Sequence, residues 1–166
     1  MFKKENTEAP TGIFAGLKVG LLVVDLQRGF DPSEDLVNLI KGISSKYSAV
    51  AFTKFENAKE SLFRRQLGWH GDGGELCIIR QKQIIFKKYG YGLSKQHIEA
   101  IKAMGCDEWH LCGIETDACV LACAFSLFDA GIPVKVLKEA CEPRMNAPIQ
   151  ALFEKQFGKL ASSTEL

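Results

Sequence analysis

The chain of 166 residues lacks an excess of either charge: 21 Lys and Arg stand against 20 Asp and Glu. That balance excludes a basic surface built for nucleic acid and a polybasic one built for membranes. It also lacks an apolar run long enough to span a bilayer, and its opening, MFKKENTEAPTG, has no apolar signal core. No CxxC pair occurs among the six cysteines, whose spacing is irregular. Reduced thiols in a cytosol are therefore expected rather than a disulfide frame. His70, His97 and His110 do not fall at ligand spacing from one another or from the cysteines, so neither metal nor other cofactor is expected. A GxGxxG fingerprint is missing after the first apolar run, where the text is VVDLQRGFD. This disfavours a dinucleotide site.

What is present suits one folded domain. Hydrophobic residues make up 46% and charged residues 25%, which is the balance of a globular chain. A single domain over residues 1–166 is expected, with 1–16 as an N-terminal extension. KVGLLVVDLQ is apolar without alternation, the mark of a strand buried on both faces. SEDLVNLIKGISSKY has helical spacing, with Ser33 as N-cap. AVAFTKF and QIIFKK read as strands, separated by one helical turn and a Gly-rich loop. SKQHIEAIKAMG reads as a helix capped by Ser94 and closed by Gly105. Then follow strand EWHLCG, helix DACVLACAFSLFDAG, strand PVKVLKEA, helix NAPIQALFEKQFG and a short sixth strand, KLASS. The alternation predicts an α/β fold, a parallel sheet with helices on both faces.

In such a sheet, ligands bind beyond the carboxyl ends of the strands. Strand one ends at Asp25 and strand three at Lys87 and Lys88. Cys119 heads the helix that follows strand four. Each residue has a plainer use: a turn residue, a solvated lysine, a packed thiol. Cys123, one helical turn on, reads as packing. Together on one rim, however, a carboxylate, an ammonium and a thiol form a working set. A helix N-terminus and an ammonium favour a thiolate. A carboxylate can take the thiol proton and return it to a leaving amine. Backbone amides in the turn can hold an oxyanion.

LLVVDLQRGF, KYGY and GIETDACV, in that order, resemble the three motifs of the isochorismatase-like cysteine hydrolases. The resemblance spans nearly the whole chain from strand one. It implies a three-layer α/β/α fold on a mostly parallel six-stranded sheet and an Asp–Lys–Cys triad: Asp25, Lys88 and Cys119. Lys88 is preferred to Lys87 because Tyr91 stands three residues on, where the family usually has an aromatic. The resemblance also implies a non-proline cis peptide at Ile114–Glu115, and the amides of Glu115 and Cys119 are the expected oxyanion donors. Two departures narrow the reaction. Metal-dependent nicotinamidases carry Asp-x-His after strand two, where this chain has FTKFEN. Vinyl-ether-cleaving isochorismatases lack the cysteine that is present here as Cys119. GLSK, with Gly92, stands where the family has a small, often Ser-containing segment, and a reshaped pocket is expected.

The reading is an amidohydrolase of the cytosol acting on a small carboxamide or carbamoyl compound through a thioester. Phe30, Phe55 and Trp69 are expected to line the substrate pocket, though each also suits the core. Lys54, Arg64 and Arg65 suit a solvated face better than a substrate carboxylate. A homodimer or higher homo-oligomer is the expected assembly, with no nucleic acid or membrane partner. Two other classes stay open: a thiol redox protein with Cys123 as resolving cysteine, and a non-catalytic binding or assembly protein on the same fold.

Overall fold

A computed structural model describes residues 16–166. The expected N-terminal extension thus lies, but for Gly16, outside the described residues. Five parallel strands form the sheet: β1 (Val19–Val24), β2 (Ala49–Phe55), β3 (Ile84–Lys88), β4 (Glu108–Ile114) and β5 (Val134–Glu142). Their spatial order is β3-β2-β1-β4-β5. The chain therefore builds outward from β1 to one edge, returns, and builds to the other. The order reverses between β1 and β4, and a crevice opens there beyond the strand ends.

β1 is apolar throughout because both faces are covered. Leu22 and Val24 join one core cluster with Ile98, Ile101, Leu127 and Phe153. Val19, Leu21 and Val23 join the other with Leu36, Ile40 and Ile43. These partners come from α1 (Glu34–Ser44), α3 (Lys95–Ala103), α4 (Leu121–Asp129) and α5 (Ala147–Phe157); α2 (Leu62–Arg65) is a single turn. The caps are where the sequence places them. Ser33 Oγ accepts from Leu36 N at 3.1 Å, and Ser94 Oγ accepts from His97 N at 3.3 Å. Gly105 closes the third helix at φ +67°.

The expected sixth strand is not formed. KLASS makes a single parallel bridge, Leu137 to Ala161. Its two backbone bonds are Ala161 N to Val136 O and Lys138 N to Ala161 O, at 3.0 and 3.2 Å. Beyond them Ser162 and Ser163 turn away to hydrogen-bond Glu139, and the backbone curls into a 3₁₀ turn over Ser163–Glu165. Side-chain acceptors on β5 thus replace the ladder that a strand would need.

Candidate active site

β1 stops at Asp25, whose φ of +45° turns the backbone out of the strand. Aspartate tolerates that region better than most residues. Thr53, in the middle of β2, fixes the side chain. Its Oγ1 donates to Asp25 Oδ1 at 2.6 Å and accepts from Asp25 N at 3.0 Å. The other carboxylate oxygen, Oδ2, meets Lys88 Nζ at 2.7 Å. That contact is an ion pair rather than an aligned hydrogen bond, so Oδ2 keeps acceptor capacity. Asp25 is 1% and Lys88 2% exposed. A pair so deep persists only when both partners are held. Lys88 is held by the carbonyls of Gly90 and Tyr91, to which Nζ donates at 2.8 and 3.1 Å. The Phe55 ring also lies 5.4 Å from Nζ. Burial works against the lysine's charge, but Asp25 and the neighbouring thiols outweigh it and raise its pKa.

Strand alternation separates the two lysines. Lys87 points to the opposite face, is 62% exposed and pairs with Glu56 at 3.0 Å. It has no place in the buried cluster.

Cys119 arrives from β4. Gly113, at φ +121°, lets β4 close on β1, since a Cβ there would collide with the Val24 carbonyl. The Ile114–Glu115 peptide is cis, at the position the sequence motif implies. A wide turn over Thr116–Val120 then leads into α4. Thr116 Oγ1 anchors that turn by donating to Pro143 O at 2.5 Å. The Cys119 thiol is half-buried and lies near enough to Asp25 and Lys88 to feel both charges. Burial and the Asp25 charge push its pKa up to about 12, against the opposing pull of Lys88. The lowering expected from the helix end and the ammonium is outweighed, which favours the protonated thiol beside the Asp25 carboxylate.

This has a measurable consequence. With its pKa raised, the Cys119 thiol should be labelled slowly by iodoacetamide at pH 7. The rate should rise about tenfold per pH unit from pH 7 to pH 9, followed on the Cys119 peptide by mass spectrometry. A rate that levels off below pH 8 would show a thiolate already formed.

Asp25 and Cys119 open on a cavity of about 250 Å³. Phe30, Phe55 and Trp69 line it. Trp69 stacks on Phe30 at 6.1 Å and meets Phe55 at 5.9 Å between ring centroids. Glu115 lies on the same wall. Gly92 instead packs on α4, where a Cβ would press on Ser126 Oγ at 2.7 Å. Lys54 pairs with Glu75, and Arg64 donates to the Asn57 carbonyl.

Sequence reasoning missed several supports. Phe63 and Leu67 line the cavity from α2 and the loop after it. Gln27 is fully buried and clamps two segments to the rim: Oε1 accepts from Phe55 N at 2.7 Å, and Nε2 donates to the carbonyls of Phe55 and Gly74 at 3.0 and 2.8 Å. Asn57 donates to the Trp69 and Gly71 carbonyls and so shapes the loop that carries Trp69. A polar Gln three residues past an apolar strand was the available signal for Gln27.

The donors needed for a metal are not gathered here. Among the described residues no group of three His, Cys, Asp or Glu could hold one. His110 lies on β4 bonded to Tyr47 and Glu108, and His97 belongs to the α3 cap. After β2, Glu56 is engaged by Lys87 and Asn57 by the loop.

Comparison with curated protein sequences finds no significant match. Solved structures share the fold. N-carbamoylsarcosine amidase from Thermoplasma acidophilum superposes with a TM-score of 0.77 at 19% identity, covering 90% of this chain and 99% of its own. Pyrazinamidase of Pyrococcus horikoshii, solved in complex with zinc, gives 0.69 at 20% identity, covering 87% and 99%. A cysteine hydrolase from Pseudomonas syringae pv. phaseolicola gives 0.73 at 13% identity, covering 89% and 90%. The isochorismatase domain profile matches residues 19–163. With nearly the whole chain matched, and the three motif segments meeting at one cavity, this protein belongs to the isochorismatase family.

Proposed function

We propose that the protein is a cysteine-dependent amidohydrolase that cleaves the C–N bond of a carboxamide or carbamoyl compound. The observation that carries this reading is the buried Asp25–Lys88 pair at 2.7 Å with the Cys119 thiol against it, opening on one cavity. The amidases among the structural neighbours agree with it.

The steps follow from the protonation states. Substrate displaces water from the aromatic cavity and sets its carbonyl carbon beside Sγ. Asp25 takes the thiol proton as Sγ attacks, so the weak acid need never ionise alone. The carbonyl oxygen becomes an oxyanion, received by the amides of Cys119 and Glu115 at the head of the helical turn. Lys88 keeps its charge throughout and steadies the anionic pair. Asp25 then protonates the nitrogen, the C–N bond breaks, and ammonia or an amine leaves a thioester on Cys119. Asp25 next deprotonates a water that attacks the thioester. The acid departs and the thiol regains its proton.

This route takes no metal. The pyrazinamidase neighbour was solved with zinc, whereas here the segment after β2 supplies Phe55, Glu56 and Asn57. A redox reading is less favoured because Cys123 is fully buried in the core, and burial pushes its thiol pKa up. We place the protein in the cytosol, as a homo-oligomer.

The test is a screen of amides for ammonia release, run on protein dialysed against chelator. Turnover by the wild type and none by Cys119→Ala is the expected result. Activity that chelator removes and zinc restores would contradict the metal-free route.

A further inference from the structure

We infer that the substrate is an uncharged amide carrying an extended apolar tail, and that the tail lies in a groove beside the catalytic cavity. The inference rests on the amidohydrolase reading for the reacting end and on a second cavity for the rest.

That second cavity, of about 360 Å³, shares Phe63, Leu67 and Tyr91 with the catalytic one. The two cavities therefore adjoin along one shared wall. Its remaining lining comes from Ser61, Leu62, Gln66, Tyr89 and Gly90, with no charged side chain. The catalytic cavity holds only Asp25 and Glu115 as charged lining residues and no basic one. A substrate carboxylate would find no cation there, because Lys88 is buried behind the wall and already paired. An apolar tail meets rings and aliphatic groups, with Ser61 and Gln66 as uncharged polar neighbours.

The wall is built to hold a shape. Lys88 Nζ donates to the carbonyls of Gly90 and Tyr91, which tie the groove to the catalytic ammonium. The Phe63 ring meets Tyr91 at 4.8 Å and Phe55 at 4.9 Å between centroids. Leu62 and Leu67 nevertheless stay 62% and 59% exposed. Their apolar surface is thus available to a ligand that starts at Cys119 and runs past Tyr91.

The experiment is a homologous series of primary amides, from acetamide through butanamide and hexanamide to octanamide, with ammonia release measured. On this inference kcat/KM rises about two- to fourfold for each methylene added. Leu62→Glu, at an exposed position that folding tolerates, flattens that rise by costing octanamide far more than acetamide. Calorimetric titration of Cys119→Ala with acetamide and octanamide reads the groove apart from chemistry, and tighter octanamide binding supports it. A series that is flat or falls with length, together with equal binding, overturns the inference while leaving the hydrolase reading intact. Tighter octanamide binding with no amide hydrolysed by the wild type keeps the groove and sinks the hydrolase reading. If the protein is a dimer that Leu62→Glu splits into monomers, with a flat series, the groove is covered by a second copy and the inference fails.

Discussion

Cys119→Ala is expected to lower amide hydrolysis by about 10⁴-fold or more, since no other group on the rim can form the thioester. The fold should survive. Cys119 is half-buried and lines the cavity, so removing its sulfur enlarges an existing space rather than leaving a sealed void. The variant should therefore keep its circular dichroism and melting temperature within a few degrees of wild type. Loss of activity with a collapsed melting temperature would assign Cys119 to structure instead. Cys123→Ala is the natural control. It lies in the core beside Ala124 and Leu127, so it should cost stability and spare most of the turnover.

The second large effect is on stability. Lys88→Met leaves the Asp25 carboxylate buried without its cation, and breaking such a pair costs about 3–5 kcal/mol. Asp25→Asn/Lys88→Met should recover much of that loss, because both charges are then gone and the volumes are kept. Chemical denaturation of the two variants and wild type at neutral pH checks this. The double variant should still be inactive, having neither base nor ammonium. Equal stability for the single and double variants would show that the pair is not coupled as the 2.7 Å contact implies. Lys87→Met, at an exposed position, should change neither property appreciably.

The parts of this site that were legible in the sequence are those that depend on local order. β1 shows itself by an apolar run that only a doubly covered strand needs, and Asp25 follows its last residue, Val24. Lys88 is marked by the aromatic three residues on, and Cys119 by its place after β4. What stayed hidden depends on pairing between distant segments. Thr53 acts on Asp25 across 28 positions, and Gln27 reaches Gly74 across 47. Neither pattern has a period. The balance of influences on the Cys119 thiol was hidden for a related reason. A helix end and a lysine lower a thiol pKa, but the depth of the site and the closeness of Asp25 decide the balance, and neither is visible in a string of residues. The short sixth strand failed because Glu139 offers KLASS side-chain partners that compete with the ladder.

The central claim is that Cys119 carries the acyl group between two half-reactions. Its most direct measurement is rapid acid quench of the protein during turnover of an amide, followed by mass spectrometry of the Cys119 peptide. A mass increase equal to the acyl group on Cys119, which appears with substrate and vanishes as product forms, is the result predicted here. Unimpaired turnover by Cys119→Ala, or a transient adduct on a different residue, would contradict it.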